Sequence, residues 1–579
     1  MVVHVVGDDP VREEVVAALA DVDVSVREAS AKELADARLA VVADVAGSER
    51  FRLADATARE GETPWIAVEV GGVGGRPMSS VDVSVAGFSA DTGCYNCLKA
   101  RVASTRDNYV TTANPRGERA SVRVAGAIAG RECVRILSDD DETVLGSVVE
   151  LPYVRRRFFP VPVCRCHPQG RDRDLAFEDG DALDLDAAVD AAELAIDDRV
   201  GLVTSIGEVE SFPAPYYMAT TADTRPYSEG EAAKQAAGVD PDWNAAFVKA
   251  IGESLERYCA GVYREHDFIE STATDLERVV EPTAFAGPDD APAYDPSESA
   301  SWVEGRDLAT GDVVYLPADA VHFPQPGGGL VPQITTGLGL GSSTTDAVIS
   351  GLTEVIERDA TMLAWYSTFD PLGLELDDER FEALTRRLAG DGLSVTPLLV
   401  TQDVDVPVVA VAVHREGGDD EWPAFAVGSA ADLDVTAAAR SALAEAVQNW
   451  MELRSIGRDD AVDAGAWIGE YAALPEAARS FVDVDRTVDA SAVGPDPVPE
   501  GVDAVETLID RVAAVGLSTY AARLTTRDVA EIGFEAVRVL VPGSQPLFTD
   551  EPYFAERAES VPRELGFVPA LDREPHPYP

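Results

Sequence analysis

Short β-branched runs alternate with helical stretches at the front of the chain. Val2–Val6, Val22–Val26, Leu39–Val45 and Pro64–Val70 read as strands, with Val11–Leu19, Lys32–Ala37 and Phe51–Arg59 as the helices between them. This βαβ alternation predicts a parallel sheet. The turn Gly7-Asp8-Asp9-Pro10 has acids where a phosphate would sit, and Gly71-Gly72-Val73-Gly74-Gly75 runs into Arg76-Pro77 rather than a helix, so neither reads as a nucleotide site. Pro168–Asp186 is polar and reads as a linker, while Ala286–Ser301 and Thr487–Val505, rich in Pro, Asp, Ser and Gly, read as surface insertions. At 579 residues the chain exceeds one ordinary core. The expected layout is α/β followed by α+β, with a βαβ domain over 1–90, a cysteine-bearing segment and linker over 91–190, and a larger domain over 195–579.

The most informative pattern in the larger part is an internal echo. Ile251-Gly252-Glu253-Ser254-Leu255-Glu256-Arg257 recurs as Leu352-Thr353-Glu354-Val355-Ile356-Glu357-Arg358, and Leu443-Ala444-Glu445-Ala446-Val447-Gln448 is a third copy with an amide at the second carboxylate position. Residues three and four apart share a helix face, so Glu253, Glu256 and Arg257 project together, as do Glu354, Glu357 and Arg358, and Glu445 with Gln448. Apolar residues occupy the opposite faces. A solvated acidic face would carry more charge one turn up and down, whereas the neighbours here include Ala246, Ala250, Ala347, Ser350, Ala438 and Ala442. Converging glutamates without enough basic partners call for a divalent cation, and oxygen ligands favour Mg2+, which usually arrives with nucleotide phosphates. From spacing alone, a solvated face and a Mg2+-nucleotide site both stay open. Thr335–Ser343, a glycine run opening the second helix, reads either as a phosphate-receiving turn or as a tight packing turn.

Cysteines add a second candidate centre. Cys94-Tyr95-Asn96-Cys97 and Cys164-Arg165-Cys166 are two close thiol pairs, while Cys133 and Cys259 stand alone. Two such pairs fit tetrahedral thiolate coordination of a structural Zn2+, with His167 as an alternative for one thiol. Six cysteines in this length do not make a disulfide framework.

Charge changes the picture of the surroundings. Asp and Glu number 103 against 47 Lys and Arg, a net charge of -56, and only Lys32, Lys99, Lys234 and Lys249 are lysines. The acid is spread along the whole chain, as in halophilic archaeal proteins, and high salt would screen its self-repulsion. Nucleic acid is an unsuitable partner for such a surface. The acidic start and the lack of a long apolar run predict a cytoplasmic chain with no membrane span.

Residues 197 to 579 closely resemble the YcaO family. The matching stretches are Ala250–Ala260 (AIGESLERYCA), Thr336–Asp359, Val427–Gln448, Val541-Pro542-Gly543 and the terminal Pro575-His576-Pro577-Tyr578-Pro579. Ala250 stands where many relatives have Ser, and Gly238-Val239-Asp240 where some have Gly-Lys-Gly. The resemblance implies Glu-bearing helices packed on sheets that bind ATP and Mg2+, with ligand roles for Glu253, Glu256, Arg257, Glu354, Glu357, Arg358, Glu445 and Gln448. The proline-rich terminus is similar to the subgroup that makes azolines, in which it is implied to reach the active site, where the Pro579 carboxylate or His576 would assist proton transfer. It is expected to be a stiff docked tail whose removal cuts azoline formation severely and leaves zinc content and thermal stability unchanged. The front part looks like a degenerate, ubiquitin-activating-enzyme-like zinc domain, with Cys94, Cys97, Cys164 and Cys166 as ligands, that engages a peptide substrate. The implied activity is ATP-dependent cyclodehydration of Cys, Ser or Thr in a ribosomally made peptide. Backbone thioamide formation ranks second, a non-catalytic zinc-bearing adaptor third, and the reading leaves room for a partner dehydrogenase and a homodimer.

Lowering KCl from about 1 M to about 0.1 M lengthens the screening distance from about 3 Å to about 10 Å, so the melting temperature measured by circular dichroism should fall steeply. A salt-independent melting temperature contradicts the halophilic reading.

Overall fold

Four of the front runs do form a parallel sheet in the computed structural model. It describes all residues except Met1, Tyr153, 167–170, 178–181, Asp289, 416–421, 462–466 and Asp550. The parallel strands are Ser25–Glu28, Val2–Val6, Ala40–Val45 and Trp65–Val70, in that spatial order. Val83–Phe88, Ser147–Leu151 and Val154–Arg157 continue the same sheet antiparallel, so the expected boundary at residue 90 falls inside one seven-stranded sheet. Lys32–Ala37 forms turns rather than the expected helix, and the second strand begins at Ser25 rather than Val22. The Ser30 N–H and hydroxyl both donate to Glu33 at this point, which marks a helix start, but six residues are too few to sustain one.

Helices cover both faces of that sheet. Val11–Ala20 and Arg119–Leu137 lie on one, drawn close because Gly126 and Gly130 have no side chain; a Cβ on Gly130 would stand 2.6 Å from that of Ala18. Glu49–Glu60 and Tyr95–Ser104 lie on the other, over Phe51, Trp65, Phe88 and Tyr95. Gly71–Gly75 is a tight hairpin, and its Gly74 and Gly75 N–H groups donate to the buried Glu69 carboxylate at 2.9 and 2.7 Å. A protein carboxylate thus occupies that glycine cradle.

The chain divides into two compact units. The first comprises Met1–Gly170, Leu194–Ser205 and Thr221–Ser228; the second comprises Arg171–Glu193, Ile206–Thr220 and Glu229–Pro579. In the second unit the sequence echo becomes three strand-helix pairs. Gln235–Val239 precedes helix Trp243–Gly261, Leu338–Gly341 precedes helix Thr344–Trp365, and Phe425–Ala431 precedes helix Val435–Ile456. Each of these strands is the edge of its own sheet. Each carries a glycine against its helix: a Cβ on Gly238, Gly339 or Gly428 would stand 2.3 Å from Ala246 O, 2.1 Å from Ala347 O or 2.4 Å from Ala446 N. Each helix also touches the strand of the next pair, the third returning to the first, so the three pairs close a ring.

The run Thr335–Ser343 is more than a turn, since it contains strand Leu338–Gly341, paired antiparallel with Glu535–Leu540. The two presumed insertions also carry structure. Ser299–Asp307 is a strand, Thr487–Asp489 pairs parallel with Leu372–Glu375, and helix Gly501–Ala514 includes Val505. Among the described residues no helix is long and apolar enough to cross a membrane.

Gly339→Ala would force a methyl group onto the backbone of the second Glu helix. A loss of about 1–3 kcal/mol is expected, read as a lower denaturant midpoint at unchanged slope. An unchanged midpoint contradicts the packing role of the glycine.

Candidate active site and metal centre

A sheet edge leaves backbone N–H groups without a ladder partner. Here two such groups, and a third from the residue just before an edge strand, are taken up by glutamates. Ala237 N–H donates to Glu253 at 2.8 Å, Gly337 N–H to Glu354 at 2.9 Å and Ser429 N–H to Glu445 at 2.5 Å. The first glutamate of every copy is thus held by the strand on which its helix packs.

The ring of pairs brings these side chains together. Six carboxylates, Glu253, Glu256, Glu354, Glu357, Glu445 and Glu452, face three guanidinium groups, Arg257, Arg358 and Arg538. Arg358 lies 3.4 Å from Glu357 and 3.5 Å from Glu445; Arg257 lies 3.7 Å from Glu253 and 3.9 Å from Glu256. Ser429 donates its hydroxyl to Glu357 at 2.6 Å. Burial raises Glu256 to about 7, helped by Glu354 and Glu253, and raises Glu357 to about 8, helped by Glu445 and Glu354. Burial likewise raises Glu445. Burial lowers Arg538 to about 10, and this side chain donates to the carbonyls of Thr335 and Ile334.

Gln448 points into the same group, donating to Glu452 at 3.1 Å, and Tyr216 donates to the same carboxylate at 3.1 Å. A cleft of about 460 Å³ opens beside Glu256, Glu354 and Glu357, edged by Asp346, Ser350 and Thr353. The donor set fits a divalent cation and an anion, because the carboxylates outnumber the cations and the buried Arg257 Nη1 and Arg358 Nη1 have no hydrogen-bond partner among the described residues. Sequence patterning missed Glu452, Tyr216 and Arg538. Glu452 was within reach, one turn beyond Gln448 on the same face. Tyr216 and Arg538 lie far away in the chain and give no local signal.

Asp359, next to Arg358, anchors the second helix from its other side. Arg557 donates to it at 3.2 and 2.8 Å and to Asp403 at 3.1 and 2.7 Å, while Gln545 N–H adds a bond of 2.7 Å.

The Pro575–Pro579 segment packs against the end of the same helix. Trp365 Nε1 donates to Glu574 O at 2.9 Å, Tyr471 donates to Pro575 O, and Tyr578 is 2% exposed against Phe481. His576 is buried, and burial lowers it to about 4, so its ring is neutral near pH 7; Nε2 donates to Phe548 O at 2.6 Å. Pro579 is half-buried beside Tyr578. These residues form part of the core, which corrects the expectation that their removal leaves stability unchanged.

In the first unit the four cysteines meet. Cys94 Sγ lies 3.8 Å from Cys97 and 3.7 Å from Cys164, and Cys97 lies 3.5 Å from Cys166, with all four sulfurs within 4.8 Å of one another. Four thiolates about 2.3 Å from one zinc would stand about 3.8 Å apart, so the donor set fits that ion. Cys94 is the N-cap of helix Tyr95–Ser104, where the helix dipole favours a thiolate. Asp55 accepts from Tyr95 N–H at 3.1 Å and from Asn96 at 3.3 Å, fixing that helix start. Cys133 and Cys259 lie apart, each raised to about 12 by burial, and His167 lies outside the described residues.

Residues 237–545, more than half of the chain, match the family described as YcaO cyclodehydratase, ATP- and Mg2+-binding. An uncharacterized protein in the tfuA 3′ region of Rhizobium leguminosarum bv. trifolii is 28% identical over 283 residues, 45% of this chain and 63% of that protein, so the chain spans less than two thirds of this relative. An uncharacterized protein of Methanothermobacter thermautotrophicus is 25% identical over 404 residues, covering 68% of this chain and 99% of that protein. A heterocyclase solved in complex with substrate and cofactor superposes with a TM-score of 0.72 over 98% of this chain and 83% of its own, at 18% identity. That likeness is one of fold.

The sulfur geometry predicts about one zinc per chain in purified protein by elemental analysis. Cys164→Ser should remove most of it, and a wild type without zinc contradicts the assignment.

Proposed function

The chain belongs to the YcaO family, and we propose that it is an ATP-dependent cyclodehydratase converting Cys, Ser or Thr of a ribosomally made peptide to azolines. The observation carrying this reading is the convergence of Glu253, Glu256, Glu354, Glu357, Glu445 and Gln448 with Arg257 and Arg358 beside one open cleft. In this chemistry the peptide side chain adds to the preceding amide carbonyl carbon. The carbonyl oxygen takes the γ-phosphoryl group of ATP and leaves as phosphate, so the peptide loses the elements of water and ATP becomes ADP. Mg2+ bound by these carboxylates would neutralise phosphate charge.

The chain's own residues position the reactants. Backbone N–H groups in or just before the edge strands hold one oxygen each of Glu253, Glu354 and Glu445, which fixes the site without any ligand. Arg257 and Arg358 have buried donors suited to phosphate oxygens. The Pro575–Pro579 segment, packed beside the second Glu helix, would wall the cleft. His576 and Pro579 belong to this proposal as the side where a proton leaves the peptide amide. The cysteine-bearing first unit would hold zinc and engage the peptide, and the acidic surface suits a salt-rich cytoplasm.

Incubation of a co-encoded peptide with enzyme, ATP and Mg2+ in high salt should remove one water mass per modified residue. Exchange of oxygen for sulfur, or no mass change, contradicts cyclodehydration. Glu354→Gln and Glu445→Gln should each lower ATP turnover at least ~100-fold while the circular dichroism spectrum is retained, because each removes charge and keeps shape. Unchanged turnover in both variants returns these glutamates to an inert acidic face.

A further inference from the structure

Glu445, Gln448 and Glu452 follow one another at steps of three and four residues, so they share one face of helix Val435–Ile456. The Gln448 side chain reaches toward the later carboxylate. Its Nε2 donates to Glu452 Oε1 at 3.1 Å, while its Oε1 accepts no hydrogen bond among the described residues. The same Glu452 oxygen accepts from the hydroxyl of Tyr216 at 3.1 Å, a buried side chain on strand Tyr216–Thr221. That strand pairs with Gln235–Val239, the edge strand of the first strand-helix pair, with Tyr216 opposite Val239. Glu452 has no Arg or Lys within ion-pair distance among the described residues, so the phenol and the amide are the groups that hold it.

An amide set among carboxylates has a preferred direction. Left free, Gln448 would turn its NH2 group, a double donor, toward the acids of the site and meet an arriving cation with the wrong end. Glu452 takes up that NH2 group one turn further along the helix, which leaves the carbonyl oxygen on the other edge of the planar amide. We propose that Glu452, steadied by Tyr216, is a positioning residue that sets the Gln448 amide with its oxygen rather than its nitrogen toward the cation, which rests on the Mg2+-nucleotide reading above. Oxygen is the donor that Mg2+ takes, and a ligand held by a hydrogen bond at its far end keeps its orientation. A Gln-to-Glu contact four residues apart also supports a helix by itself, but that smaller role needs no third partner, whereas Tyr216 comes from 236 positions away to the same oxygen. The amide at the second carboxylate position of the third copy then has a physical reason. A glutamate at 448 would repel Glu452 and could not be held by it.

The test is metal binding without turnover. Mn2+ is titrated into the full chain with a non-hydrolysable ATP analogue, and the electron paramagnetic resonance signal of free Mn2+ reports what remains unbound. Glu452→Met, which keeps length and removes the acceptor, should weaken Mn2+ binding at least ~10-fold. Glu452→Gln keeps an acceptor oxygen and loses only a nearby charge, so it should stay within ~3-fold of wild type. Gln448→Met should weaken binding about as much as Glu452→Met, and the double variant no more than Gln448→Met alone, because both changes remove one and the same ligand oxygen. A loss in Glu452→Gln as large as in Glu452→Met overturns positioning in favour of a charged ligand. Additive losses in the double variant overturn action through Gln448, and wild-type binding by Glu452→Met overturns any role. If Glu452→Met fails to fold, Glu452→Ala takes its place in the same comparison. A wild type that takes up no Mn2+ with the analogue overturns the metal site and this role with it, whereas cyclodehydration fails separately, in the mass of the incubated peptide.

Discussion

Six carboxylates crowded against three guanidinium groups are the constraint on which the second unit turns. Packed without a cation they would repel one another or take up protons, and burial, with the neighbouring carboxylates adding to it, raises Glu256 to about 7 and Glu357 to about 8. A divalent cation held by these carboxylates would remove the conflict by displacing those protons. The protein tolerates the charge because other parts hold it in place. Amides in or just before the edge strands fix three glutamates, Ser429 fixes Glu357, and Asp359 with Arg557 clamps the second helix from behind.

Glycine makes that arrangement buildable. An amide on a strand reaches a side chain on the helix above only if the two backbones nearly touch, and Gly238, Gly339 and Gly428 allow this approach three times. Because each strand is a sheet edge, its unpaired N–H is available to the glutamate rather than to a neighbouring strand. Packing, hydrogen bonding and charge thus use the same few residues, so the echo in the sequence is an echo of one structural solution.

Much of this was legible in the chain. The Glu-x-x-Glu spacing of two copies, the Glu-x-x-Gln of the third and their small flanks picked out the three helices, though spacing alone left a solvated face open, and the four cysteines were paired by spacing before they met in space. Local patterning failed where tertiary contact decides. Thr335–Ser343 reads as a turn from its glycines, yet Gly339 and Gly341 belong to a strand lying on a helix. Lys32–Ala37 has a helix start signal and too little length to use it. Tyr216 and Arg538 reach the cluster from distant strands, and the terminal prolines concealed that His576 and Tyr578 are core residues.

The central claim is that the three Glu helices together hold Mg2+ for ATP. Crystals grown with a non-hydrolysable ATP analogue and Mn2+ as an anomalous scatterer test it directly. Anomalous peaks should lie about 2.1–2.2 Å from oxygens of glutamates on at least two of the helices, with the analogue's phosphates beside Arg257 or Arg358. Peaks confined to the protein surface, or nucleotide bound away from these carboxylates, would contradict it.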